Sequence, residues 1–190
     1  WFTFYGERFI IPTGTVEIGG TNLMSTISAL RDKTIAHWTA KDYIPAASNP
    51  ATFSSRSVGG SLVPSITFDP ATAQGTSFEA AMPDEGIDMS AGVAVKLFWS
   101  TPLASAGSNV VWTVTVTNLC CGNTANASVL ITNAPSGIAN EITNSVASFP
   151  SLTTLTTNGM VKVFISRTAG SASDVNPLTN ELRAVKIYTP

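Results

Sequence analysis

The chain has 190 residues, a formal net charge of −2 and only 12% charged side chains, against roughly 25% in an average soluble domain. That length suits one domain plus an extension and buries a core without metal or disulfide staples. The balanced charge and the absence of like-charge runs argue against a nucleic-acid or membrane-surface partner. No stretch of 18 apolar residues reads as a membrane span.

Residues 1–32 differ from the rest. Trp1, Phe2, Phe4, Tyr5, Phe9, Ile10 and Ile11 fall within twelve positions, whereas chain ends are usually polar unless tied down. This arm is predicted to dock, either on its own domain or on a neighbouring subunit. It carries Glu7 and Arg8 and no small-residue cleavage pattern, so it does not read as a signal peptide. Leu23, Ile27 and Leu30 fit helical spacing after an Asn22 cap, which predicts a short helix.

From residue 33 the pattern is β. "TIAHWTAKDYIP" alternates loosely up to Pro45. "SNPATFSSRSVGGSLVPS" reads as a turn-rich connection punctuated by Gly59, Gly60 and Pro64. "SITFDP" is a short strand stopped at Asp69-Pro70. "TSFEAAMP" places Phe78, Ala80 and Met82 on one face. In "GVAVKLFWS", Val93, Val95, Leu97 and Trp99 oppose Ala94, Lys96 and Phe98. In "NVVWTVTVTNL", Trp112, Val114 and Val116 oppose Thr113, Thr115 and Thr117. "ASVLITN" and an extended "SFPSLTTLTTNG" follow. "MVKVFISR" sets Met160, Lys162, Phe164 and Ser166 against Val161, Val163 and Ile165. "LRAVKIYTP" sets Leu182, Ala184, Lys186 and Tyr188 against Val185 and Ile187. Period-2 alternation with a polar outer face marks antiparallel sheets half-open to water. About eight such strands with little helix predict an all-β chain: a single jelly-roll-like antiparallel β-sandwich over 33–190 with the 1–32 arm as an N-terminal extension.

Motifs for chemistry are sparse. His37 is the single histidine, and no G-x-S-x-G or phosphate-loop stretch occurs. Asp84, Glu85 and Asp88 form an acidic turn that lacks the EF-hand pattern, and Asp174 reads as part of a plain turn. Cys120 and Cys121 are adjacent, so a bond between them would be strained; they are two free thiols near a strand end or a link between chains. Asn126-Ala127-Ser128 fits a glycosylation acceptor. No catalytic residue, cofactor or metal is expected. Trp99 and Trp112 share faces with valine and leucine and read as core.

The order "ITFDPATAQGTSFEAAMP", "VAVKLFWSTPLASAGSNVVWTVTV" and "MVKVFISRTAGSASDVNPLTNELRAVKIYTP" resembles jelly-roll structural proteins of tailed-bacteriophage virions. The matching elements are Phe68-Asp69, Met82-Pro83, Lys96 to Trp99, Ser105 to Trp112, Arg167, Asp174 and Val185 to Tyr188, with "HWTAKDYIP" as an opening strand. The middle, with Cys120-Cys121 and "TNAPSGIANEITNSVASFPS", departs freely, as a variable region would. The resemblance implies a non-enzymatic capsid-decoration, head-fibre or tail-associated protein of the virion. It implies a homotrimer with other virion proteins, such as the major capsid protein, as partners, and host glycan as a further ligand. The Thr-rich, weakly charged surface fits a subunit of a large assembly. The aromatic arm, Trp1 to Ile11, would be its assembly interface. Two alternatives remain. One is an extracellular filament subunit that exchanges its N-terminal strand. The other is a carbohydrate-binding or receptor-binding module, which needs exposed aromatics in a row and has Trp38, Tyr43, Trp99 and Trp112 as its candidates.

Overall fold

The computed structural model describes residues 34–190 except 84–86, 105–106, 120–125, 154 and 156–158, together with four two-residue strands nearer the N-terminus. The chain divides into two compact units, Trp1–Asp32 and Lys33–Pro190. In the first, β1 (Phe4–Tyr5) pairs with β2 (Arg8–Phe9), and β3 (Glu17–Ile18) pairs with β4 (Thr21–Asn22). The side chains of Trp1, Phe2, Phe4, Tyr5, Phe9, Ile10 and Ile11, and the helix expected after Asn22, lie outside the described residues.

The second unit is an all-β, two-sheet antiparallel sandwich. Its strands are β5 (Thr34–Thr39), β6 (Ile44–Pro45), β7 (Thr52–Val58), β8 (Ser61–Phe68), β9 (Gln74–Ala81), β10 (Val93–Ser100), β11 (Val110–Asn118), β12 (Asn126–Asn133), β13 (Thr143–Phe149), β14 (Met160–Arg167) and β15 (Asn180–Tyr188). One sheet runs β13-β10-β15-β8-β7, with β5 also on β15; the other runs β12-β11-β14-β9-β6. The eight strands β8 to β15 therefore alternate between sheets as 8-15-10-13 and 9-14-11-12, which is jelly-roll order.

The alternation read from sequence decides which side chains enter the core. Val93, Val95, Leu97 and Trp99 are buried from the first sheet, and Trp112, Val114, Val116, Val161, Val163 and Ile165 from the second. Trp99 and Trp112 meet edge-on across the sandwich at 5.6 Å, and Phe68 meets Trp112 at 5.0 Å. Both tryptophans are core residues, as expected. Trp38 ties the sheets together, its indole N–H donating to the Glu79 carbonyl at 3.0 Å. Fully burying side chains of this size contributes about 1.5–3 kcal/mol each.

Four expectations need correction. The segment read as a turn-rich connection is a long hairpin, β7–β8. Its two-residue turn places Gly59 and Gly60 at φ +58° and +81°, the left-handed conformation a type I′ turn demands. The segment read as a variable region contains β13, whose Ala147 and Phe149 are core and whose Ser145 hydroxyl accepts the Trp99 indole N–H at 2.8 Å. Small residues between its few apolar ones hid the period. Leu182 is buried rather than sharing the face of Ala184, Lys186 and Tyr188. The pairing Phe98↔Ala184 steps to Trp99↔Leu182, so Arg183 is an inserted residue and the bulge reverses the alternation behind it.

Asp174 is no plain turn residue. It is fully buried with Arg167, accepting from Nε at 3.0 Å and from Nη2 at 2.7 Å. Arg167 also donates to the carbonyls of Asn176 and Leu178, and Asp174 accepts the Val111 backbone N–H. This pair fastens the β14–β15 loop to the start of β11.

Candidate functional site

Three of the four aromatics nominated from sequence for sugar binding are spent on packing. Trp38, Trp99 and Trp112 are buried, whereas Tyr43 is half-buried and stacks at 5.5 Å on Phe53, which is 42% exposed. Further half-buried aromatics on a solvent face are Phe98 and Tyr188 on the first sheet and Phe164 on the second.

On the second sheet the pairing builds a hydroxyl-rich grid around one ring. Phe164 lies between Ser77 and Thr115, Ser166 between Gly75 and Thr113, and Lys162 between Glu79 and Thr117. The ring packs onto Gly75, where a Cβ would come within 2.5 Å of it. Its polar neighbours are paired among themselves: Thr115 with Ser128, Thr117 with Asn126, and Lys162 with Glu79 at 3.2 Å.

The first sheet is different. Across β13, β10, β15 and β5, its solvent face reads in three rows: Ser148–Ala94–Tyr188, Val146–Lys96–Lys186–His37, and Asn144–Phe98–Ala184–Thr39. Phe98 and Tyr188 are half-buried, and His37, Thr39, Asn144, Val146 and Ser148 are exposed. Phe98 stands opposite Ala184, four residues along β15 from Tyr188, a separation of about 13 Å at strand rise. The Lys96 ammonium lies 5.3 Å from the Phe98 centroid and the Lys186 ammonium 5.8 Å from that of Tyr188. Because the strands are antiparallel, the two lysines lean in opposite directions, each toward the ring two positions on along its own strand.

Glu181 pairs with Arg56 at 2.6 Å and with Arg183. Arg183 also donates to Ser100 Oγ and to the Val63 carbonyl. Burial lowers its guanidinium pKa, opposed by Glu181 and reinforced by Arg56. Asp42 accepts both the backbone N–H and the hydroxyl of Thr39 at 2.8 and 2.9 Å. Those two bonds, with smaller contributions from the nearby His37 and Lys41, hold its carboxyl below the usual carboxylate range.

Of the other residues singled out from sequence, His37 joins the basic row and Asn126 begins β12, bonded to Thr117. Asp88 accepts the Ser90 backbone N–H at 2.9 Å, while Asp84, Glu85, Cys120 and Cys121 lie outside the described residues. Among the described residues no three His, Cys, Asp or Glu side chains gather as a metal site, and no helix is long and apolar enough to cross a membrane. The aromatic face was visible in the alternations of "VAVKLFW" and "LRAVKIY". There Phe98 shares a strand face with Lys96, and Tyr188 one with Lys186.

The sequence matches no protein-family model and no curated protein. Among solved structures, the chain is similar to the xylanase 10B of Clostridium thermocellum, a family 22 carbohydrate-binding module with a GH10 module, complexed with xylohexaose. Identity is 12% over 83% of this chain and 29% of that one, at a TM-score of 0.51. The chain thus spans under a third of that structure. It is also similar to the xylan-binding CBM22-1 domain of Paenibacillus barcinonensis Xyn10C, at 9% identity, 83% and 94% coverage and TM-score 0.46. A family 16 carbohydrate-binding module gives 11%, 81% and 98%, and 0.45. At these identities the likeness is one of fold.

The likeness to the xylanase 10B structure, at a TM-score of 0.51, overturns the resemblance to phage virion proteins, and with it the virion role. The physical reason lies in the motifs that carried it. Phe68, Trp99 and Trp112 fill the core, Asp69 accepts the Ala71 and Thr72 backbone N–H groups of a turn, and Arg167 and Asp174 pin a loop. Each answers a demand of sandwich packing, so the set specifies a jelly roll and no particular role.

Proposed function

We propose that the Lys33–Pro190 unit is a non-catalytic carbohydrate-binding module that receives an oligosaccharide on the solvent face of the β13-β10-β15-β5 layer. The observation that carries this reading is the presence of two half-buried rings, Phe98 and Tyr188, on one open sheet face. Rings so placed offer apolar surface to the C–H face of a pyranose. Asn144, Thr39, His37 and the two lysines supply hydrogen-bonding groups around them. Ligand sites of this composition, apolar rings with a few convergent polar groups, are the usual pattern for small-molecule recognition. The carbohydrate-binding modules of similar fold favour the same reading.

The test is titration calorimetry of the purified chain with xylohexaose and with a β-1,3-1,4-mixed-linked tetrasaccharide, beside a glycan array. Loss of one stacking ring should weaken binding about tenfold or more, the equivalent of roughly 1.4 kcal/mol, in Phe98→Ala and in Tyr188→Ala. Absence of any glycan ligand sinks the proposal, as does unchanged affinity in both variants.

A further inference from the structure

The two sides of the sandwich differ in how their edge strands are built. On one side the second sheet ends in β6, two residues long and holding Pro45, and the first sheet ends in β7, which carries Arg56. Short length, proline and charge are common protections of a sheet edge. On the other side the sheets end in β12, of eight residues, and β13, of seven, which lie beside each other. Neither strand holds a charge or a proline, and Glu141 is the single charged residue between Lys96 and Lys162. β12 follows β11 from Thr117↔Asn126 to Val110↔Asn133 without a bulge. Among the described residues it pairs with no other strand, and no backbone bond outside the sheets involves it. The backbone groups along its outer edge therefore form an open template for another strand.

The chemistry of β12 is symmetric about its centre. Ser128-Val129-Leu130-Ile131-Thr132 runs hydroxyl, β-branched, leucine, β-branched, hydroxyl. Ser128, Leu130 and Thr132 face solvent, while Val129 and Ile131 are half-buried against the core. Leu130 is 64% exposed, an apolar side chain in the middle of an otherwise polar outer row.

We propose that β12 is a homodimer edge, on which a second copy of this chain pairs its own β12 antiparallel about a two-fold axis through Leu130. That register sets Leu130 against the partner's Leu130, Val129 against the partner's Ile131 and Ser128 against the partner's Thr132. Apolar groups meet apolar groups, and hydroxyls that both donate and accept meet hydroxyls. In a two-fold contact the same patch meets itself, so a charged strand would set like charge against like, which is destabilising. The absence of charge and the symmetric order of β12 satisfy that demand, and a strand from an unrelated chain would impose neither. The register keeps inward residues with inward ones, so the second sheet continues across the axis and Val129 and Ile131 join the two cores. Both copies then turn their β13-β10-β15-β5 face to the same side of the dimer. The inference stands apart from the glycan reading, because it uses the opposite sheet and no ligand.

The experiment is sedimentation velocity of the full chain from low to high micromolar concentration. The expected result is a monomer–dimer equilibrium. Leu130→Lys sets two ammonium groups against each other at the axis and should weaken dimerisation roughly tenfold or more, as should Leu130→Glu. An equimolar mixture of these two variants should recover the dimer, because opposite charges then meet. Leu62→Lys, at a residue 75% exposed at the tip of the β7–β8 hairpin, makes the same change away from β12 and should leave the dissociation constant within about twofold. Thermal melts verify that each variant is folded.

A wild-type chain that stays monomeric throughout, or that forms trimers, overturns the proposal. An equal effect of Leu62→Lys reduces the association to general surface apolarity and overturns it as well. Failure of the mixed variants to dimerise removes Leu130 from the axis, and with it the proposed pairing.

Discussion

Removing the Asp174 carboxylate should be among the most damaging changes outside the apolar core. Arg167 and Asp174 are both 0% exposed at the side chain, so Asp174→Ala leaves a guanidinium charge with only the Asn176 and Leu178 carbonyls as acceptors. Breaking one side of a buried pair costs about 3–5 kcal/mol. The Val111 N–H also loses its acceptor, a long bond at 3.2 Å worth at most about 1 kcal/mol. A loss near 4 kcal/mol is a large share of the roughly 5–15 kcal/mol that holds a domain together. For a unit of this size it lowers Tm by about 8–16 °C. Urea denaturation followed by far-ultraviolet circular dichroism gives the free energy, with calorimetry for Tm. The double variant Arg167→Met, Asp174→Ala should be more stable than Asp174→Ala, because the uncompensated charge is gone. It should stay below wild type, because Val111 N–H and two carbonyls are left behind. A single variant within about 1 kcal/mol of wild type, or strictly additive effects in the double, would refute the account of this pair as a buried, mutually dependent lock.

Two further changes probe the sandwich. Trp99→Phe should cost about 1–2 kcal/mol more than Trp112→Phe in urea melts. The first strands the buried Ser145 hydroxyl, whereas the Trp112 indole N–H has no hydrogen-bond partner among the described residues, so its removal leaves only a packing deficit; the reverse order would contradict this. Asp42→Ala should lower stability by roughly 0.5 kcal/mol near neutral pH through the lost Thr39 contacts. Because the folded pKa is depressed, that contribution exists above the unfolded pKa and fades as pH falls through the folded value. The gap between variant and wild-type melts should close as the pH falls below the ordinary carboxylate range, and a gap that persists once the carboxyl is protonated would show the effect is not carried by the ionised carboxylate.

Much of the fold was legible because strand alternation is local. In β10, β11 and β14 the side-chain period of two fixes inside and outside without reference to any other strand, and Trp99, Trp112 and Ile165 are buried as that rule requires. It fails where the backbone breaks the period. At Arg183 the bulge moves Leu182 to the core, and in β13 Thr143 and Ser145 stand on the inward side where a pattern needs bulk while Val146 faces out. The candidate site was half legible: the sequence places Lys96 with Phe98 and Lys186 with Tyr188 on their faces, but as two separate strands.

What the sequence by itself determined is therefore the class of structure and the facing of most strands, since both follow from short-range patterning and from the size of the apolar inventory. Only the tertiary structure decided that Lys96, Lys186 and His37 share one row, that Phe98 and Tyr188 bracket it, and that Arg167 finds Asp174 in the interior. Strand pairing joins residues far apart in the chain, and a shift of one residue in register sends every side chain to the opposite face. Neighbourhood across a sheet is a property of the whole packed sandwich, and the charge and aromatic pattern of its open face exists only once that packing is complete.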